Sequence, residues 1–375
     1  MTATSQTPLI VLGGGLMGLA IAHQLARRGQ TVQVISRRRG EAAGFVAAGM
    51  LAPHAEGLSN ALLKLGQLSL ERIPLWVAQI EMDSGLSCGL RKSGIVVPFL
   101  TATERDAYPT AALGQALDRR QLEQEIPELG DTWQTGLLFE QDGQIDNRRR
   151  LMKALERACV LLGVQFLEGV EVLNLECDHQ GQLDRINCGV AKGETKRFLC
   201  KQAVLCSGAW SQQLVPQLQI SPVKGQMLSL QGPREALKRV IFRPDIYLVP
   251  REDGLIVVGA TNEAEVGFSE GLTPDGQRRL YNGIESLLPI AVQWPLIERW
   301  WGFRPCTPDE GPLLGAGPIP GLWLACGHHR NGVLLAAITA ELTADVISGV
   351  TPDRTMISHL SAFRWDRFTC ELPVK

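Results

Sequence analysis

The sequence predicts an α/β chain, α+β overall, in which a discontinuous Rossmann-like dinucleotide-binding domain is interleaved with a domain built on antiparallel sheet. Three observations carry this prediction. A buried strand runs into a glycine turn and a helix at residues 8–29. Short apolar strands return at 164–175, 203–206 and 323–326. Between them, stretches such as 226–230 and 255–258 carry the period-two or continuous apolar pattern of paired strands. The pattern assigns residues 1–85, 146–222 and 300–375 to the nucleotide-binding domain and residues 86–145 and 223–299 to the antiparallel one.

The opening PLIVLGGG at 8–15 reads as a fully buried strand entering a turn, Gly18 to Arg28 as a helix ended by Gly29, and Thr31 to Ile35 as a second strand. Together they span the length of a βαβ unit. An amphipathic helix covers roughly residues 60–85, short strands and loops broken by Gly and Pro follow from 90 to 145, and Leu151 to Gly163 is helical again. Strands at Val164–Phe166, Val170–Leu175 and Ala203–Cys206 lead to the small-residue turn Ser207 to Ala209. The last elements are a buried strand, Trp323 to Cys326, and a long helix, Gly332 to Ser348, joined by GHHRN at 327–331.

With 375 residues, 45% hydrophobic and 20% charged, the chain can bury two domain-sized cores. Its formal net charge is −2 and its basic clusters, Arg37 to Arg39 and Arg148 to Arg150, are short, which excludes a phosphate-backbone partner. No apolar run reaches the ~20 residues of a membrane span. The most apolar early stretch, Leu9 to Leu25, is broken by glycines and by His23 and Gln24, and lacks a basic leader and a cleavage site, so a cytoplasmic protein is expected. The nine cysteines show no CxxC spacing, so they read as reduced thiols with no metal site.

Gly13, Gly15 and Gly18 form GxGxxG between a strand and a helix. The first glycine permits the tight turn, the second lets a pyrophosphate approach the backbone, and the third lets helix and strand pack closely. The acidic residue that should close the second strand and hold a ribose is missing. Ser36 stands there, followed by Arg37, Arg38 and Arg39. A serine hydroxyl can still bond ribose, and Arg37 can stack on adenine or meet a phosphate, but arginines here also suit an NADP enzyme.

Five segments discriminate between these readings: AAGMLAP at 47–53, AVLCSGAW at 203–210, PVKGQ at 222–226, WGFRP at 301–305 and GHHRNG at 327–332. In this order, and over nearly the whole chain, they resemble the FAD-dependent D-amino-acid oxidase superfamily, most closely the glycine oxidases associated with thiamine biosynthesis. Small side chains at Ala47 to Met50 let backbone lie along a flat ring system. The last helix, starting near Gly332, can aim its N-terminal amides at charge developing on that ring. Arg304 supplies a planar guanidinium able to clamp a carboxylate at two points.

The resemblance implies non-covalent FAD held by Gly13, Gly15, Leu16, Met17, Gly18, Ser36, Arg37, Ala43, Gly44, Ala48, Gly49, Met50, Val172, Gly208, His328, His329, Arg330, Asn331, Gly332, Val333 and Leu334. It implies substrate binding by Arg304, Tyr247 and Arg330, with no residue acting as acid or base, since a helix start needs no titrating group and His328 and His329 read as structural. Asp245 and Asn262 depart from the family's histidine and methionine and make the pocket more polar. Cys306 is similar to a flavin-linked cysteine of monomeric sarcosine oxidases, but reads here as a small packed side chain. The implied reaction is oxidative deamination of a small amino acid such as glycine, or sarcosine, with hydride transfer to flavin N5 and dioxygen as acceptor, yielding a 2-oxo acid, ammonia or an amine, and hydrogen peroxide. A sarcosine or D-amino-acid oxidase, a dehydrogenase with another acceptor, and a non-catalytic flavoprotein subunit stay open, as does homo-oligomer formation.

Overall fold

The computed structural model describes residues 7–190, 193–350 and 354–368. β1 (Leu9–Leu12) is LIVL, buried along its whole length. Such a strand needs cover on both faces, as a parallel sheet provides. It pairs in parallel with β2 (Val32–Ser36) on one side and with Ala203–Leu205 on the other. The full sheet has six strands in the order Leu313–Ala316, Leu322–Cys326, Ala203–Leu205, β1, β2, Gln165–Glu168, and only the Leu313–Ala316 edge is antiparallel.

α1 (Leu16–Arg27) covers one face of this sheet beside the Met152–Leu161 and Gly332–Ile347 helices. α2 (Asn60–Ser84) packs outside them. The Gly332–Ile347 helix is buried nearly all round, which fits its almost uncharged sequence. A small antiparallel sheet of Glu171–Cys177, Leu183–Gly189 and Thr195–Leu199 covers the opposite face, where Ile10, Leu12 and Ile35 meet Leu183 and Ile186.

The second large sheet has eight strands and is antiparallel except where Val240–Phe242 pairs with Ile95–Phe99. Its longest strands, Ser221–Gln231 and Leu296–Cys306, pair from Ser221 with Cys306 to Leu230 with Leu296. One face packs on the Pro274–Leu287 helix through Leu228, Leu248, Leu280 and Ile284. The other packs on the segment around Ala48, Ala52 and Ala55 through Val97, Met227, Tyr247 and Val249.

Two of the boundary differences from the sequence reading bear on the site. α1 begins at Leu16 rather than Gly18, which brings its first turn up to Gly15. The helix expected from Leu151 is preceded by a π-turn, Asn147–Leu151, an expanded turn of the kind found beside functional sites. Eight of the nine cysteines are free thiols and Cys370 lies outside the described residues. Among the described residues no helix is long and apolar enough to cross a membrane, and no cluster of ligating side chains could hold a metal ion.

Candidate functional site

A long cleft runs between the two large sheets, from Ser36, Arg37 and Glu171 past the glycine turn to Tyr247, Arg304 and Arg330. At the turn Gly13 has φ +118°, and a Cβ there would stand 2.4 Å from the Cys206 carbonyl oxygen. A Cβ on Gly18 would stand 1.8 Å from the Gly13 carbonyl oxygen. Gly15 is the N-cap of α1, with no side chain capping the helix and no acid in its first turn. Its leading amides therefore remain available to an anion.

The three arginines after Ser36 are already matched by carboxylates. Arg37 reaches Glu171 at 3.0 Å and Glu41 at 3.2 Å, Arg38 reaches Glu41 at 2.7 Å, and Arg39 joins Glu168 at 2.8 Å to Glu156 at 2.9 Å. A 2′-phosphate would have to displace these partners, so the arginines do not carry the NADP reading. Arg37 also lies over the Trp210 ring, 5.6 Å from its centroid.

The next stretch of the cleft is gripped from behind. Asn147 donates to the carbonyls of Gly44 and Ala47, Arg148 to Phe45, Trp300 to Val46, and Arg251 to Ala48. Every carbonyl from 44 to 48 is thereby tied by a side chain at least 100 residues away in sequence. Gly49 has φ +86°, and a Cβ there would lie 2.1 Å from the Ile145 carbonyl oxygen. The amides of Ala48 and Gly49 donate to no described residue, and both residues line the cleft. A close-lying backbone with unspent N–H donors fits the edge of a flavin.

At the far end Arg304 is half-buried and donates to the Thr261 carbonyl at 3.1 Å. Among the described residues it has no carboxylate partner. Burial lowers its pKa, the Tyr247 hydroxyl beside it countering that shift. Gly225 and Gly259 make the room, since a Cβ on Gly225 would lie 2.4 Å from the Arg304 guanidinium and one on Gly259 2.5 Å from the Tyr247 hydroxyl. Arg330 Nε lies 3.6 Å from Glu56 Oε2. Burial pushes His328 down to about 3, so it is neutral at ordinary pH, and its Nε2 meets Thr339 Oγ1 at 3.0 Å. The Gly332–Ile347 helix, like α1, starts with no side-chain cap and no acid in its first turn.

Most residues singled out in the sequence line this one cleft: Gly13, Gly15, Leu16, Met17, Ser36, Arg37, Ala43, Gly44, Ala48, Gly49, Met50, Val172, Gly208, Tyr247, Arg304, His328, His329, Arg330, Gly332 and Val333. Gly18, Asn331 and Leu334 stand behind the lining as packing and helix-start residues. Asp245 and Asn262 are exposed and outside the lining. Each neighbours a residue that touches a lining arginine, because Pro244 accepts from Arg330 and Thr261 from Arg304. Cys306 is also outside the lining, and burial pushes its thiol up to about 11, which disfavours the thiolate a covalent link requires. Sequence reasoning missed Glu56, Arg251, Asn147 and Trp300. Glu56 alone had a local signal, following the small-residue segment by a few positions.

Residues 8–346 match the DAO family, described as FAD dependent oxidoreductase. The bifunctional protein ThiO/ThiG of Synechocystis sp. is 39% identical over 368 residues, covering 96% of this chain and 54% of that protein. The chain thus spans about half the length of the first relatives it matches. A glycine oxidase of Bacillus licheniformis is 31% identical over 372 residues, 96% of each chain. The crystal structure of glycine oxidase from Geobacillus kaustophilus superposes with a TM-score of 0.87 at 27% identity, covering 96% of this chain and 98% of that one.

Proposed function

Because the chain belongs to the DAO family of FAD dependent oxidoreductases, we propose that it oxidises the carbon–nitrogen bond of a small amino acid such as glycine. The observation that carries the reading is Arg304, a half-buried guanidinium in the cleft that pairs with no carboxylate among the described residues. A substrate carboxylate is the missing partner, with the Tyr247 hydroxyl as a second donor.

FAD bound in this cleft would supply the acceptor for the hydride of the substrate α-carbon, with dioxygen as the terminal acceptor and hydrogen peroxide as its product. The residues named at the glycine turn, at 43–50 and at 328–334 would hold the cofactor. The open first turns of α1 and of the last helix stabilise negative charge at the phosphates and on the ring. Arg304 and Tyr247 fix the carboxylate and so orient the α-carbon. Neutral His328 takes no proton; the substrate reacts as the neutral amine, its ammonium proton passing to solvent, and the protonated imine left by hydride loss is hydrolysed by water to a 2-oxo acid and ammonia, or methylamine where the substrate is sarcosine. Residues 1–85, 146–222 and 300–375 serve the cofactor, and residues 86–145 and 223–299 roof the substrate. The six-stranded and eight-stranded sheets support this division in outline, although the eight-stranded sheet takes the Ser221–Gln231 and Leu296–Cys306 strands whole, across the boundaries at 222 and 299.

The test is a peroxide assay of the yellow holoprotein across glycine, sarcosine, D-alanine and D-proline, repeated with a dye acceptor. Peroxide from glycine or another small amine is expected; reduction of the dye without oxygen uptake would shift the acceptor, and no turnover at all would remove the reading. Asp245→His with Asn262→Met is expected to move the rate ratios several-fold toward glycine. Ratios within experimental error of the wild type would place both residues outside the substrate's reach.

A further inference from the structure

We propose that Glu56 recognises the amino group of the substrate, its carboxylate receiving the ammonium while Arg304 receives the carboxylate; the assignment rests on the amino-acid oxidase reading above. Glu56 lines the same cleft as Arg304, and its side chain is 9% exposed. Its nearest counter-charge is Arg330 Nε at 3.6 Å, beyond hydrogen-bond length. Among the described residues, no N–H or O–H donates to either carboxylate oxygen. Neither oxygen is sealed off from the cleft, so both can accept from donors bound there. An α-amino acid brings an ammonium with three of them, on the carbon next to the carboxylate that Arg304 lacks. The two underused groups of the cleft are complementary to the two ends of one zwitterion.

The position of Glu56 is built rather than incidental. Asp142, fully buried, accepts the amides of His54 at 3.2 Å and Ala55 at 2.7 Å, and its other oxygen meets His54 Nδ1 at 2.6 Å. Thr110 Oγ1 donates to the His54 carbonyl and the Tyr108 hydroxyl to the Ala55 carbonyl, each at 2.6 Å. The Glu56 amide donates to Ala52 at 2.9 Å. Both residues before Glu56 therefore have their amide and carbonyl fixed, which holds its side chain to one approach.

The charged and titratable groups acting on Glu56 are Arg330, Arg304, Asp142 and Glu310, with the Tyr108 and Tyr247 hydroxyls facing it. Burial raises its pKa above the usual carboxylate range, and the two arginines oppose that. Recognition of an ammonium is therefore present above this raised pKa and fades as pH falls through it.

The experiment is titration calorimetry of the holoprotein with 2-aminoisobutyrate and 2-hydroxyisobutyrate, which share shape and carboxylate, differ in one group, and lack the α-hydrogen that turnover needs. Wild type is expected to bind the amino compound at least about tenfold more tightly, the low end for a desolvated charge pair. Glu56→Gln should bring the two affinities within about twofold of each other, and Arg304→Ala should weaken both alike. A wild type that binds the amino compound no better than its hydroxy twin overturns the assignment, as does a preference that survives in Glu56→Gln. If Glu56→Gln does not retain flavin, the wild type decides: its amine preference must shrink as pH is lowered, and a constant preference overturns the assignment. A wild type that prefers the amine yet oxidises no amino acid contradicts the oxidase reading and leaves the role of Glu56 standing.

Discussion

Arg304→Ala is expected to lower kcat/KM for the preferred amino acid by tens to thousands of fold, because losing one partner of a desolvated charge pair costs about 2–5 kcal/mol. Arg304→Lys should recover little, since a point charge cannot reproduce a two-pronged guanidinium. The flavin should stay bound, because the glycine turn and the gripped 44–48 segment lie elsewhere in the cleft. Amines without a carboxylate should lose far less than amino acids do. Steady-state kinetics across both ligand classes checks this. An equal loss for all amines, or loss of flavin, would make Arg304 a structural support, with Arg330 the next candidate clamp.

Gly18→Ala is expected to cost about 3 kcal/mol, the upper range for overpacking, because its methyl would sit 1.8 Å from a backbone carbonyl that cannot swing away. The strand and helix must part to admit it, and the proposed pyrophosphate site is the turn between them. Flavin content at equal protein concentration should fall at least about tenfold, consistent with that cost. Gly29→Ala is the control, since its Cβ would meet nothing within 4 Å and only its φ of +79° opposes it, at about 1 kcal/mol. The visible absorbance of flavin per protein and the melting temperature report both effects. Equal flavin content in the two variants would mean that the Gly18 contact does not form.

The local parts of this account were legible in the sequence. The βαβ opening is contiguous, so glycine spacing and apolar runs reveal it, and Arg304 stands out beside a tryptophan pair, although its segment is the end of the Leu296–Cys306 strand and not a turn. What joins distant segments was not legible. The carbonyls of 44–48 are held from Asn147, Arg148, Arg251 and Trp300, and no local pattern marks a side chain whose partner lies 100 or more residues away. The arginines after Ser36 suggested a phosphate site because their partners Glu156, Glu168 and Glu171 lie on elements that only the fold brings near. Asp245 and Asn262 were read as pocket residues from the family positions they match, yet they are exposed and outside the cleft lining. Glu56 was passed over because a single glutamate in a loop is ordinary until its burial is known.

The central claim is that this cleft brings a small amino acid and FAD together for hydride transfer. Anaerobic addition of glycine to the oxidised holoprotein tests it directly, without regard to the electron acceptor. The visible flavin band is expected to bleach with glycine or a close small amino acid, and admitting oxygen is expected to restore it with release of peroxide and ammonia. A band that no small amino acid bleaches, in protein whose flavin dithionite can reduce, would contradict it.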